Sequence, residues 1–456
     1  MRDTLTDRLR SLGDRVAVID RGTTRSYAEL ADETDRLGAL LEDSGVRAGA
    51  TVVLHGDFSF SQIAAFYALY VHRSIVVPIV SFTEAGYDTV RSSCGAEYVV
   101  RVGDEVTVER YEPAGGEAPE RVGALRSRGE SGLILLSSGS TGSPKAILHN
   151  LDAIFAEKAD AGAHVSRTPR NVLLFLLADH IGGINSLLGV LRSRASAVIP
   201  AERTPAEICS LIEKYGIRLL PTSPTFLNLI LIGGFHEKHD LSSLKLITYG
   251  TESMPEQLLQ RVHTAIPGAR LLQTFGTSET GISTTSSKSS SSTAFRIEDG
   301  GSEYRIVDGE LQLRTKTQFL GYLNYDDDAV TEDGWFRTGD LVEETGDGFI
   351  RVKGRAAEVI NVGGEKVLPL ELESVLLGSP EISDCVVFGA PNSITGQAVH
   401  VEVVPAGNLG RAELRRHIRE FLDGKVEPFK IPSKVTVVAQ TAVSARFKKD
   451  RKLNRG

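Results

Sequence analysis

The stretch "LILLSSGSTGSPKAILHN", Leu133 to Asn150, decides how the chain is read. Four apolar residues, Leu133 to Leu136, and the later run Ala146-Ile147-Leu148 enclose a segment of small, hydroxylated residues ending in Lys145, which reads as strand, flexible loop, strand. Gly139 and Gly142 let the backbone turn N–H groups inward, Ser138, Ser140 and Thr141 supply hydroxyls, and Lys145 supplies a compact cation. Such a loop suits a polyphosphate. It does not fit the familiar phosphate loop, in which Gly-Lys directly precedes Ser or Thr: Ser143-Pro144 separates Gly142 from Lys145, and Pro144 has no N–H to offer. A kinase built on that spacing is therefore disfavoured, and taken alone the loop reads more readily as a solvated linker.

Outward from the loop, helices and strands alternate. Ser26 to Glu29 forms a capping box before a helix with Leu30, Leu37, Leu40 and Leu41; "ATVVLHG" reads as a strand, Ile63 to Tyr70 as a helix and Ile75 to Ile79 as a buried strand. Thr204-Pro205-Ala206-Glu207 opens another helix that Gly216 ends, between strands Ala197 to Ile199 and Ile217 to Leu220. The Ser-rich stretch from Thr284 to Phe295 reads as a mobile surface loop, and "EYRIVDGELQLRTKT" as a β-hairpin around Asp308-Gly309. From about Ala356 the strand and helix pattern resumes, with an amphipathic helix over Ala412 to Asp423. The class is α/β: a large N-terminal domain, residues 1–355, of αβα-layered sheets plus a β-rich subdomain, and a small mobile α+β C-terminal domain, residues 356–456.

At 456 residues, with 41% apolar and 24% charged, the chain has material for large cores. A net charge of −8 argues against nucleic acid as partner, so any anion site must be local. Cys94, Cys209 and Cys385 have no metal or disulfide spacing and fit a reducing cytoplasm. The N-terminus lacks the apolar run of a signal peptide, and His72-Arg73 interrupts the longest apolar stretch, so no membrane span is expected.

Three further segments give the loop its context: "QTFGTSETG" (Gln273 to Gly281), "GWFRTGDLV" (Gly334 to Val342) and "KGRAAEVINVGGEKVLPLELE" (Lys353 to Glu373). Together with "SARFKKDRKL" near the end they resemble, in order and over nearly the whole chain, the adenylate-forming superfamily of acyl-CoA synthetases, peptide-synthetase adenylation domains and luciferases.

That resemblance implies roles. Ser138, Gly139, Ser140, Thr141, Gly142 and Lys145 would close on the ATP phosphates; Phe275 would pack on adenine, with Gly276, Thr277 and Ser278 beside it and Gly250-Thr251-Glu252 along the same base. Glu279, with Thr141, would hold Mg²⁺; Asp340 would accept the ribose hydroxyls with Arg355 assisting. Lys448, rather than its neighbour Lys449, would hold the substrate carboxylate against the α phosphate. His180 would stand between acyl pocket and nucleotide, and Ile181, where amino-acid-activating members carry Asp, argues against a free α-amino acid. With Gly182 and Gly183 leaving room, an aryl or largely apolar acid is favoured. Gly363-Gly364 resemble the lining of a pantetheine tunnel, which makes CoA the leading acceptor over a carrier protein, an amine or another nucleophile.

The chain departs from the family pattern at Ala146, Ser278, Ala357 and Phe447, where Gly, Thr, a polar hinge residue and Gly are usual. A non-catalytic nucleotide-binding protein on this fold would show erosion of the chemical residues, yet Lys145, Glu279, Asp340, Arg355 and Lys448 are all present.

Overall fold

A computed structural model describes residues 4–81, 90–111, 119–137, 144–159, 170–298, 300–326, 328–407, 409–444 and 446–451. The loop residues Ser138, Gly139, Ser140, Thr141 and Gly142 lie outside the described residues.

Two seven-stranded sheets form the large domain. In the first, the strands run Arg270–Gln273, Leu246–Tyr249, Ile217–Thr222, Asn171–Leu173, Ser196–Ile199, Val16–Asp20 and Thr23–Ser26, all parallel except the last pair. The second contains Lys145–Asn150 and Gly132–Ser137, antiparallel neighbours with Leu135 opposite Ile147, so both strands of that reading are present. Helix Phe60–Val71 is buried from Gln62 to Tyr70 because it lies between the sheets, where no face meets water. One core joins Val52 and Leu54 of one sheet to Val18 and Ala197 of the other, and inside it Tyr70 stacks on Phe155 with ring centroids 3.7 Å apart. The Ser26/Glu29 capping box forms, and helix Pro205–Tyr215 ends on Gly216 at φ 57°.

The Ser-rich stretch is not the loop the sequence suggests. Thr285–Ser287 and Phe295–Ile297 pair within a six-stranded antiparallel sheet. Ser287 Oγ accepts from Gln273 N (2.9 Å) and Ser290 Oγ from Leu271 N (3.1 Å), so the serines satisfy the edge strand of the first large sheet. Short hydroxyl side chains serve here as lateral hydrogen-bond partners. The hairpin around Asp308-Gly309 is present, with φ of 52° and 78°.

That sheet ends at Arg355, and Ala356–Glu358 makes one exposed 3-10 turn. The smaller C-terminal domain follows, a five-stranded sheet from Ile360–Val362 to Lys434–Val437 with helices Pro369–Leu376 and Arg411–Leu422. Its core residues Leu372, Val387, Val401 and Leu414 belong to the same apolar cluster as Ile230 and Leu258 of the large domain. Among the described residues, no helix is long and apolar enough to cross a membrane.

Candidate active site

In an open parallel sheet, ligands gather beyond the carboxyl ends of the strands. Here Thr222, Gly250 and Thr274 stand at those ends in neighbouring strands, and a cavity of about 810 Å³ begins there. Three further cavities among the described residues are about 10 Å³ each.

At one end of the cavity Lys145, Thr277, Ser278, Glu279 and Arg355 line the wall. Lys145 Nζ lies 4.7 Å from the centroid of the Tyr322 ring and 5.4 Å from that of Tyr325. The strand that presents it is fixed by Asn324, which accepts from Ala146 N (2.9 Å) and donates to Pro144 O (2.8 Å). Tyr322 Oη donates to Glu279 Oε1 (2.8 Å), which orients the carboxylate. Behind it, the ring nitrogens of buried His149 face Ser278 O (2.7 Å) and Thr317 O (3.2 Å); burial lowers that imidazole, offset in part by the two carbonyls. Gly276 is needed because a Cβ there would sit 2.1 Å from Gly281 O across the Phe275–Thr277 hairpin.

Phe275 lies apart from these residues. Its ring packs on Phe295 (centroids 5.5 Å apart) in the core of the six-stranded sheet and is not on the cavity wall, where the resemblance put an adenine platform. Gly276, Thr277 and Ser278 line the cavity, while the Phe275 ring turns into the apolar interior of the six-stranded sheet. Asp340 likewise sits behind the wall, buried, accepting from Arg355 Nε (3.1 Å) across paired strands. Burial raises its carboxyl, offset in part by Arg355.

From the other side the C-terminal domain delivers Lys448 into the same cavity. Among the described residues its ammonium has no hydrogen bond or ion pair. Burial pulls it down to about 8; Glu252 raises it, and the Arg355 and Arg446 cations lower it further. Lys449, the neighbour that spacing could not separate from it, points back into its own domain, with Nζ 2.6 Å from Cys385 O and 2.9 Å from Asp384 Oδ1. Glu252 is a brace and not a wall residue: Oε1 accepts from Thr225 N (2.7 Å) and Oε2 from Lys449 N (3.1 Å). Gly250 lines the cavity and admits no Cβ, which would lie 2.5 Å from Thr274 Oγ1, and Thr251 beside it stands at φ 71°, a strained conformation for a β-branched residue.

Two residues that the sequence left without a role hold the lysine loop. Phe447, at φ 50°, packs against the Phe175–Phe226 pair of the large domain, with centroids 5.3 and 5.0 Å away, and its carbonyl accepts from Ser223 Oγ (2.7 Å). Arg446 lines the cavity and lies 3.8 Å from Asp179 Oδ2, in the residue before His180.

His180 caps helix Ile181–Ser193 through its backbone only, and its Nε2 is buried without a partner. Burial, then the Arg446 and Lys448 cations, pushes the imidazole down to about 3, so it stays neutral. Gly183 is not room for a substrate: a Cβ there would lie 2.0 Å from Leu177 O, so the glycine serves close backbone packing. Gly182 does face the cavity. Gly363 and Gly364 form the exposed turn between Ile360–Val362 and Glu365–Val367 at φ 62° and 97°, away from the cavity wall.

The buried, unpartnered His180 Nε2 and Thr222 Oγ1 on the wall call for a polar ligand. A magnesium ion also fits: it takes one or two carboxylates and completes its shell with phosphate oxygens and water, and Glu279 is the carboxylate on the described wall.

Comparison with known proteins gives a concordant picture. The AMP-binding enzyme family matches residues 5–323, and the AMP-binding enzyme C-terminal domain matches residues 371–448. The chain is 28% identical over 480 residues to the indoleacetate–CoA ligase of Aromatoleum aromaticum, covering 92% of each. It is 28% identical over 501 residues to the 2,3-dihydroxybenzoate-AMP ligase of Bacillus subtilis, covering 98% of this chain and 92% of that one. The structure of an amide bond synthetase from Marinactinospora thermotolerans superposes with a TM-score of 0.80 at 19% identity, over 100% of this chain and 99% of that one. With both family matches falling on the two domains that meet at Lys448, the chain belongs to the AMP-binding enzyme family of adenylate-forming ligases.

Proposed function

We propose that the chain activates a carboxylic acid, aryl or largely apolar along most of its length, as its acyl-AMP and then passes the acyl group to a thiol, with CoA the leading acceptor. The observation that carries this reading is Lys448: an unpaired ammonium from the smaller domain, in one cavity with Lys145, Glu279 and the unpartnered His180 Nε2. In the first step a carboxylate oxygen attacks the α phosphorus of ATP, the α–β bridging bond breaks and pyrophosphate leaves. Negative charge accumulates between two anions, and Lys448 answers it more strongly in the transition state than before. Neutral His180 separates acid from nucleotide without adding charge. Glu279 would hold Mg²⁺, which supplies charge neutralisation on the phosphates. In the second step a thiol sulfur attacks the acyl carbonyl and AMP departs.

The division at 355/356 follows the exposed Ala356–Glu358 turn, about which we place the swing of the smaller domain, and the three buried, free cysteines fit a cytoplasmic setting. The acceptor has a second reading, a carrier-protein thiol or an amine. It is favoured by Phe447, which anchors the lysine-in arrangement, and by Gly363-Gly364 lying away from the cavity. The named relatives include a CoA ligase, an AMP ligase and an amide bond synthetase, which matches that range. The test is a panel of acids with ATP and Mg²⁺, read by mass for acyl-AMP and, after adding CoA or an amine, for thioester or amide. Acyl-AMP from none of the acids would overturn activation; acyl-AMP that CoA never consumes would overturn the thioester step.

A further inference from the structure

The cavity does not stop at the acid's reacting end. From His180 it continues beneath helix Ile181–Ser193 and across the face of the first sheet to the opposite edge, where Arg170, Arg192, Arg218 and Lys245 surround an open mouth. Arg170 precedes strand Asn171–Leu173, Arg218 is the second residue of Ile217–Thr222, and Lys245 precedes Leu246–Tyr249. These strands are consecutive in the sheet, so the three cations form a row, and Lys245 N donates to Arg218 O (3.0 Å) within it. Arg192, in the last turn of the helix, faces them across the opening. The distance from the reacting end is ~18 Å along the helix and ~13 Å along the strands, from the rise per residue of each.

Small side chains leave the channel open toward its far end: Ser186, Gly189 and Ser193 recur on the cavity face of the helix beside Asn185 and Val190, and a Cβ at Gly189 would meet nothing within 4 Å. The opposing wall, Val172, Leu219, Pro221 and Leu246, is mainly apolar, with the Thr248 hydroxyl beside Pro221. The rim guanidinia of Arg170, Arg192 and Arg218 have no hydrogen-bond or ion-pair partner among the described residues. Glu279, at the far end, is the one carboxylate on the described wall, in a chain whose net charge is −8. A concentration of unanswered cations against that background is a local anion site.

Building on the acid-activation reading, we infer that the substrate is an extended acid with an apolar middle and a second anionic group at its far end, bound by Arg192, Arg218 and Arg170 while its other carboxylate reacts beside Lys448. The apolar body fills the channel, and the distal anion fixes register so that only acids of matching length place their carboxylate correctly.

The experiment is acid-dependent ATP–pyrophosphate exchange with the intact protein and three graded series of equal lengths: monocarboxylic, α,ω-dicarboxylic and ω-amino acids. An ω-phosphono series distinguishes a phosphate-type anion from a carboxylate. At the best length the dianionic acid should exceed its monocarboxylic counterpart in kcat/KM by roughly tenfold, the scale of two exposed ion pairs, and the margin should shrink as salt rises. The Arg192→Glu, Arg218→Glu double variant, at exposed positions, should lose that preference and favour ω-amino acids instead. Gly189→Leu should remove long acids of every kind more than short ones. Monocarboxylic acids that match or exceed the dianionic ones, or a preference unchanged in the double variant, would sink this inference and leave acid activation standing. Exchange with no acid in any series would sink both.

Discussion

Phe447 sets how firmly the lysine loop is seated, and its two substitutions to small residues should separate packing from strain. Its ring meets Phe175 and Phe226 at 5.3 and 5.0 Å, and aromatic pairs contribute about 0.5–1.5 kcal/mol each. Its φ of 50° costs an L residue about 1–2 kcal/mol, a cost that glycine does not bear. Phe447→Ala therefore loses about 2 kcal/mol of anchoring and keeps the strain, whereas Phe447→Gly loses the same contacts and sheds about 1 kcal/mol or more of strain. Single-turnover formation of acyl-AMP should fall roughly thirtyfold in the Ala variant and about fivefold less steeply in the Gly variant, at ~1.4 kcal/mol per factor of ten. Thermal unfolding of both variants checks that the fold survives. If Ala equals or outperforms Gly, the strained backbone and the reasoning from it are wrong.

Other outcomes follow from the same geometry. Free Lys448 is depressed to about 8, so kcat/KM for the acid should fall as pH rises through that value while the ammonium is lost. Removing the Arg446 cation (Arg446→Ala) should move this limb upward, and a limb that does not move would refute the coupling. The stability sign is opposite: the folded protein carries a buried charge below about 8, and that penalty is relieved as pH climbs toward the unfolded lysine value of 10.5. His180, already neutral with its value near 3, should leave no inflection near the ordinary histidine range. Tyr322→Phe removes the hydroxyl that orients Glu279 and should raise the Mg²⁺ concentration needed for half-maximal exchange about tenfold, as expected for a hydrogen bond to a charged group; a titration unchanged in Mg²⁺ would contradict it. Arg451→Ala strands Glu373, 1% exposed and held by Arg451 Nη2 at 2.9 and 2.8 Å, and should destabilise the C-terminal domain by about 3–5 kcal/mol in denaturant unfolding. Arg451→Ala with Glu373→Gln should recover part of that loss.

The strands Gly132–Ser137 and Lys145–Asn150, the parallel sheet and the Asp308-Gly309 hairpin were legible because each rests on local periodicity or turn chemistry. Lys448 was legible only through its order among other motifs, and no spacing rule predicts that Lys449 pairs with Asp384 and the Cys385 carbonyl while Lys448 lines the cavity. The burial of Phe275 was not legible because a motif names a residue but not the face it presents, and here its ring joins a core. The Ser-rich run was read as a loop because composition does not show that the neighbouring strand needed lateral partners. The rim of Arg170, Arg192, Arg218 and Lys245 left no trace in the sequence, since a sheet edge and a helix end assemble it from separated positions. Gly183 looked like space and is close packing, a distinction that only a neighbouring carbonyl reveals.

The central claim is that one cation, carried by the smaller domain, pins an acid against the α phosphorus in a cavity of the larger one. Pyrophosphate exchange with the best acid, compared between Lys448→Ala and Lys449→Ala, tests it most directly. Lys448→Ala should lose exchange on the order of a hundredfold or more, the scale for removing a positioned charge donor, with Lys449→Ala folded less stably but exchanging at a much higher rate. Full exchange in the Lys448→Ala protein would contradict it.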